Sequence, residues 1–179
     1  MRAATRSCGV TGTAVEFESI RASLGAVEGV AYDPLLVLDL DRVRIEDLQF
    51  GRRIGLLDDC QLGRIAQERE RRGSAPIGEI VGIGSEEAVG RLDDEVLLAD
   101  ETAADLWLRV VLRLAERRWR AGVGDPVAET EELVGAWGAS GRDAWGRLRP
   151  RGIDSLFFGG AARRRFLARI RAYVAEASR

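Results

Sequence analysis

Carboxylates are the side chains through which this sequence could do chemistry, because two other common reactive groups are missing. The chain has no histidine, and all 27 of its basic residues are arginine. That composition removes the Ser-His-Asp and Cys-His relays, histidine metal ligands and an imidazole base near neutral pH. It also removes the P-loop lysine and the Schiff-base lysine. Cys8 and Cys60 stand alone and far apart, which makes neither a metal-binding spacing nor a disulfide framework. What remains are acids: Asp39 and Asp41 two residues apart, and the adjacent pairs Asp58-Asp59, Glu86-Glu87 and Asp93-Asp94. Adjacent residues on a helix point in different directions, so those pairs make poor metal cages. Carboxylates at helix starts are favourable without any ligand. No cofactor is expected.

The sharpest catalytic string is Leu36-Val37-Leu38-Asp39-Leu40-Asp41-Arg42-Val43. An apolar strand followed by Asp-x-Asp resembles the first motif of haloacid-dehalogenase-type phosphohydrolases. Ile80-Val81-Gly82-Ile83-Gly84-Ser85 is similar to their second motif. The resemblance implies a nucleophilic Asp39, a proton-handling Asp41 and Mg²⁺ between them. Such an enzyme also needs later apolar strands to build its parallel sheet, and the chain offers none. The competing reading is a short extended segment running into the acidic start of a helix. Gly82-x-Gly84 lacks a dinucleotide site's context and serves as a turn that frees Ser85 to cap. Arg163-Arg164-Arg165 with Arg169 and Arg171 make one side of the last helix basic, which supplies a nucleic-acid-binding alternative. No helix-turn-helix, zinc or aromatic-platform signature accompanies it.

The elements that must position these groups are helices. Residues 1–13 are expected to be a disordered tail and 14–179 a single domain. Val15, Phe17, Ile20 and Leu24 form a weak amphipathic stretch. Leu35 to Leu38, after Asp33-Pro34, is the one strand candidate. Phe50, Ile54 and Leu57 then fall at helical spacing, with Gly55 near that helix's end. Asp58 with Gln61 predicts a capping box for a helix burying Leu62, Ile65 and Ala66 and stopping at Gly73. Pro76 opens a short helix through Val81, and Ser85 caps one with Val89, Leu92, Val96 and Ala99 inward. From Thr102 to Ala121 the apolar residues cover nearly the whole circumference, so this helix must be central. Thr102 and Asp105 suggest its capping box, Gly122 its stop, and Arg109, Arg113, Glu116, Arg117 and Arg120 its polar stripe. Asp125-Pro126 starts a helix with Val127, Val134 and Trp137 on one side. A glycine-rich link leads to a short segment around Trp145 and Leu148. The last helix, Ala161–Ala177, turns Phe166, Ile170, Tyr173, Val174 and Ala177 inward. The expected fold is a compact all-α multi-helix bundle around one buried helix, with room for one short N-terminal strand.

Charge is unevenly placed. Residues 1–101 hold 20 acids against 12 arginines, a balance of −8, and residues 102–179 hold 9 against 15, a balance of +6. An acidic half suits a charged partner. No apolar run reaches the roughly 18–20 residues that span a bilayer, and no signal-peptide core is present, so a cytoplasmic location without a membrane partner is expected.

From Ile45 to Pro150 the chain resembles the domain-of-unknown-function 2247 family, small helical bacterial proteins predicted in part as immunity proteins of polymorphic toxin systems. The likeness rests on Glu46-Asp47-Leu48-Gln49-Phe50-Gly51 with Gly55-Leu56-Leu57, on Ile77 to Leu97, and on Trp107-Leu108, Leu112, Glu116-Arg117-Arg118, Asp125-Pro126, Glu131-Glu132 and Pro150. It implies a non-catalytic protein that binds a partner such as a toxin domain. An acidic face fits the basic cleft of a nuclease. Asp58, Asp59, Glu86, Glu87, Asp93 and Asp94 are the candidate contacts.

Overall fold

The computed structural model describes residues 17–73, 94–151 and 159–176. Within them the chain forms helices α1 (Phe17–Ser23), α2 (Pro34–Val37), α3 (Ile45–Arg53), α4 (Asp59–Arg71), α5 (Asp94–Ala99), α6 (Glu101–Arg120), α7 (Pro126–Gly135), α8 (Gly138–Leu148) and α9 (Gly160–Glu176). A single 3₁₀ turn, Leu24–Val27, follows α1. No strand occurs among the described residues, and the architecture is all-α.

Helix α6 is the axis, packed against α3, α5, α7, α8, α9 and the 3₁₀ turn. Trp107, Leu108, Val111, Leu112, Ala115 and Trp119 are wholly excluded from solvent. A helix apolar on nearly every side can hide that surface only by taking neighbours all round. Trp107 sets the approach of α3. Its Nε1–H donates to the Asp47 carbonyl at 2.5 Å, and its ring lies over Gly51, where an added Cβ would fall 2.1 Å from Cζ2. On the other flank α9 buries Phe166, Leu167, Ile170 and Tyr173.

Several sequence expectations change in detail. The strand candidate at Leu35–Leu38 is the helical turn α2 with the residue that follows it. Asp33 caps it by accepting from the Leu35 N–H at 3.1 Å, and Pro34 supplies a pre-set first helical residue. A run this short has no strand among the described residues to pair with, and Leu36 is left 78% exposed. Helix α6 starts one residue early. Its cap is Asp100, which accepts from the amides of Thr102 and Ala103 at 3.0 Å each, so Thr102 and Asp105 form no capping box. Asp105 instead accepts from Arg109 Nε at 2.7 Å and from the Tyr173 hydroxyl at 3.0 Å.

Glu116 leaves the expected polar stripe and is buried beneath Arg171, 2.9 Å away on α9. The glycine-rich link is itself helix α8. Gly141 lets it start hard against the end of α7, because a Cβ there would fall 1.8 Å from the Val134 carbonyl oxygen. In α5, Leu97 is buried and Ala99 exposed, which reverses the expected phase at that end. The expected helices from Pro76 and Ser85, as far as residue 93, lie outside the described residues. So do the expected tail and Ala177.

Candidate partner-binding surface

The N-terminal acids divide by what surrounds them. Asp39 and Asp41 are exposed in the turn after α2. Asp39 accepts from the Asp41 amide at 3.2 Å and lies 3.6 Å from Arg42, so its carboxylate closes its own turn. Arg69, reaching from α4, fixes that turn by donating to the carbonyls of Leu40 and Val43 at 2.9 and 2.8 Å. The segment preceding Asp39 is helical rather than the strand a phosphohydrolase motif requires. No group of three metal-binding side chains occurs among the described residues.

Asp58 and Asp59 open α4, both exposed. The predicted capping box is complete: Gln61 N–H donates to Asp58 at 2.7 Å, and Asp58 N–H donates to Gln61 Oε1 at 2.9 Å. Asp59 is 2.9 Å from Arg52 on α3. Both acids are therefore engaged locally while remaining reachable. Glu86, Glu87 and Asp93 lie outside the described residues. Asp94 is placed only as the first residue of α5.

The same local neutralisation runs along residues 17–73. Asp33 meets Arg64 at 3.0 Å, and that hydrogen bond with the Leu35 amide holds its carboxyl below the ordinary range. Glu68 takes Arg71 and Arg72 at 2.7 and 2.8 Å, whose hydrogen bonds pull its carboxyl down to about 2. Buried Asp47 binds Arg44, whose guanidinium also reaches Asp100 at the start of α6. Burial pushes the Asp100 carboxyl up, but Arg44 and the capped amides outweigh it and leave it low. This corner joins the first turn of α3 to the first turn of α6.

By sequence, residues 1–73 carry 12 acids against 11 arginines, whereas 74–101 carry eight against one. The N-terminal excess of −8 is therefore −7 within one stretch of 28 residues, a concentration that a count over the whole half conceals.

The basic side of α9 is partly consumed by the fold. Arg163 donates to the carbonyls of Trp119 and Gly124, satisfying the end of α6. Arg169 donates to Arg149 O, past the end of α8, and Arg171 pairs with buried Glu116. Arg164 and Arg165 are exposed. Sequence periodicity marks these arginines as a stripe and gives no sign that several of them end other helices. No helix among the described residues is long and apolar enough to cross a membrane. No family model, curated protein or solved structure matches the chain.

Proposed function

We propose that this protein works by stoichiometric binding of a basic protein partner, and that neutralisation of a bacterial toxin domain is the specific form this takes. One observation carries the reading. Carboxylates along residues 17–73 are largely matched by nearby arginines, while 74–101 holds eight acids and a single arginine. Asp100 is taken by Arg44, and the rest of that stretch is still seven acids against one arginine by sequence. Such an excess steers encounter with a basic surface and disfavours acidic ones. The resemblance over Ile45 to Pro150 supports the same reading, since binding of this kind asks for a complementary surface and no reaction.

The test is co-expression with the product of the adjacent gene, followed by affinity capture and a growth-rescue assay. Capture with rescue is expected. Association should slow as salt rises, because exposed charges are screened beyond about 8–10 Å near physiological ionic strength. Glu86→Arg with Glu87→Arg should weaken capture without loss of helicity. A demonstrably toxic neighbour that is neither bound nor neutralised would sink the reading.

A further inference from the structure

Between the end of α5 and the α7–α8 corner is a cleft of about 100 Å³, walled by Ile20 of α1, Phe50 of α3, Leu98 of α5, Ala104 of α6 and Trp137. Drug-sized ligands take pockets of about 300–1,000 Å³, so this one suits a single side chain. Its aromatic wall is rigid. Phe50 stacks on Trp137 at 6.0 Å and meets Phe17 edge-on at 5.2 Å.

Three polar features of the cleft have no partner among the described residues. Gly138, Ala139 and Ser140 line it and form the first turn of α8, whose N-cap residue, Trp137, supplies no side-chain acceptor. Those leading N–H groups, at the positive end of the helix, favour an incoming carbonyl. Trp137 is only 2% exposed, and its indole N–H meets no acceptor among the described residues. A buried donor without a partner is destabilising, and an added acceptor relieves it. Glu101, also lining the cleft, is exposed and has no arginine partner among the described residues.

We propose that this cleft anchors the partner, and that its occupant is a peptide segment carrying an aliphatic residue beside a basic one. The proposal rests on the protein-binding reading above and adds the chemistry of what is bound. The aliphatic side chain fills the apolar volume. A backbone carbonyl of the segment accepts from the first turn of α8. The neighbouring cation meets Glu101, at the end of the acidic stretch.

The experiment is a ¹H–¹⁵N correlation titration of the full chain with two capped dipeptides, acetyl-leucyl-arginine amide and acetyl-leucyl-glutamate amide. Trp137→Phe identifies which of the four indole N–H signals belongs to Trp137. At millimolar arginine dipeptide, that indole signal and the Gly138–Ser140 amides should shift saturably, with at least tenfold weaker response to the glutamate dipeptide. No shift there, or equal shifts with both, overturns the proposal. Ala139→Phe, at an exposed position on the cleft, should abolish the shifts with helicity unchanged and weaken partner capture at least tenfold. Undiminished capture by this variant overturns the cleft as anchor yet leaves protein binding standing. Failure of the wild-type chain to capture anything removes the protein-binding reading, and the dipeptide shifts still decide the cleft.

Discussion

Gly51→Ala is a one-carbon change whose cost follows from the packing of α3 on α6. Gly51 is within α3, where alanine is ordinarily better than glycine by about 0.5–1 kcal/mol. Here the new methyl would meet Trp107 Cζ2 at 2.1 Å, Cε2 at 2.5 Å and Cη2 at 2.8 Å. Trp107 cannot withdraw, because it is wholly buried and its Nε1–H is held by the Asp47 carbonyl. Overpacking of a filled core costs about 1–3 kcal/mol, and an approach this close belongs at the upper end. Setting about 3 against a propensity gain of about 1 leaves roughly 2 kcal/mol of net destabilisation, near a thirtyfold fall in the folded-to-unfolded ratio. Urea unfolding followed by far-ultraviolet circular dichroism reads this as a lower midpoint with an unchanged slope. The argument has an internal control. Phenylalanine lacks the distal indole atoms the methyl strikes, so Gly51→Ala should cost much less in a Trp107→Phe background. A neutral or stabilising Gly51→Ala, or strict additivity of the pair, would refute the packing argument.

Leu112→Asp should abolish cooperative unfolding altogether, because it places an unpaired charge at a position with no solvent exposure; circular dichroism and a melting scan check it. Asp100→Ala should cost about 1 kcal/mol through loss of the α6 cap, and Asp100→Asn should recover much of it, measured by urea midpoint. The carboxyls of Asp33 and Asp100 are depressed in the folded chain, so the stability they add is complete above the ordinary aspartate range near 3.9 and lost as pH falls through the lower folded values. Arg44→Gln should therefore blunt the acid limb of a stability-against-pH curve, and an unchanged limb would count against this pairing. A phosphatase screen with Mg²⁺ should detect no turnover that Asp39→Asn removes, since Asp39 closes an exposed turn beside Arg42.

Capping chemistry and helical period were the legible parts of the sequence. Asp58 with Gln61, Asp125-Pro126, and glycines 55, 73 and 122 at positive φ mark helix ends by local rules alone. The all-round apolar surface of α6 announced its centrality for the same reason. What local rules missed depends on distant atoms. The glycine-rich stretch before Trp145 reads as a link because glycine is a poor helix former, but close approach to Val134 rewards Gly141 in place. Glu116 sits on the polar stripe by phase and is buried only because α9 brings Arg171 over it. Of the candidate surface, the engagement of Asp58 was readable and the ion pair of Asp59 with Arg52 was not, since that contact crosses from one helix to the next.

The arginines that end helices have a practical consequence for anyone probing this molecule's charge. Arg69 holds the loop at Leu40 and Val43 through Nη1 alone, and Arg163 holds the chain at Trp119 and Gly124 through both terminal nitrogens of its planar fork. Lysine offers a single compact ammonium in place of that fork. A guanidine-selective dicarbonyl reagent applied to erase positive charge would also unfasten those ends. Loss of helicity is the expected result of such treatment, and circular dichroism checks it before any loss of binding is read as electrostatic.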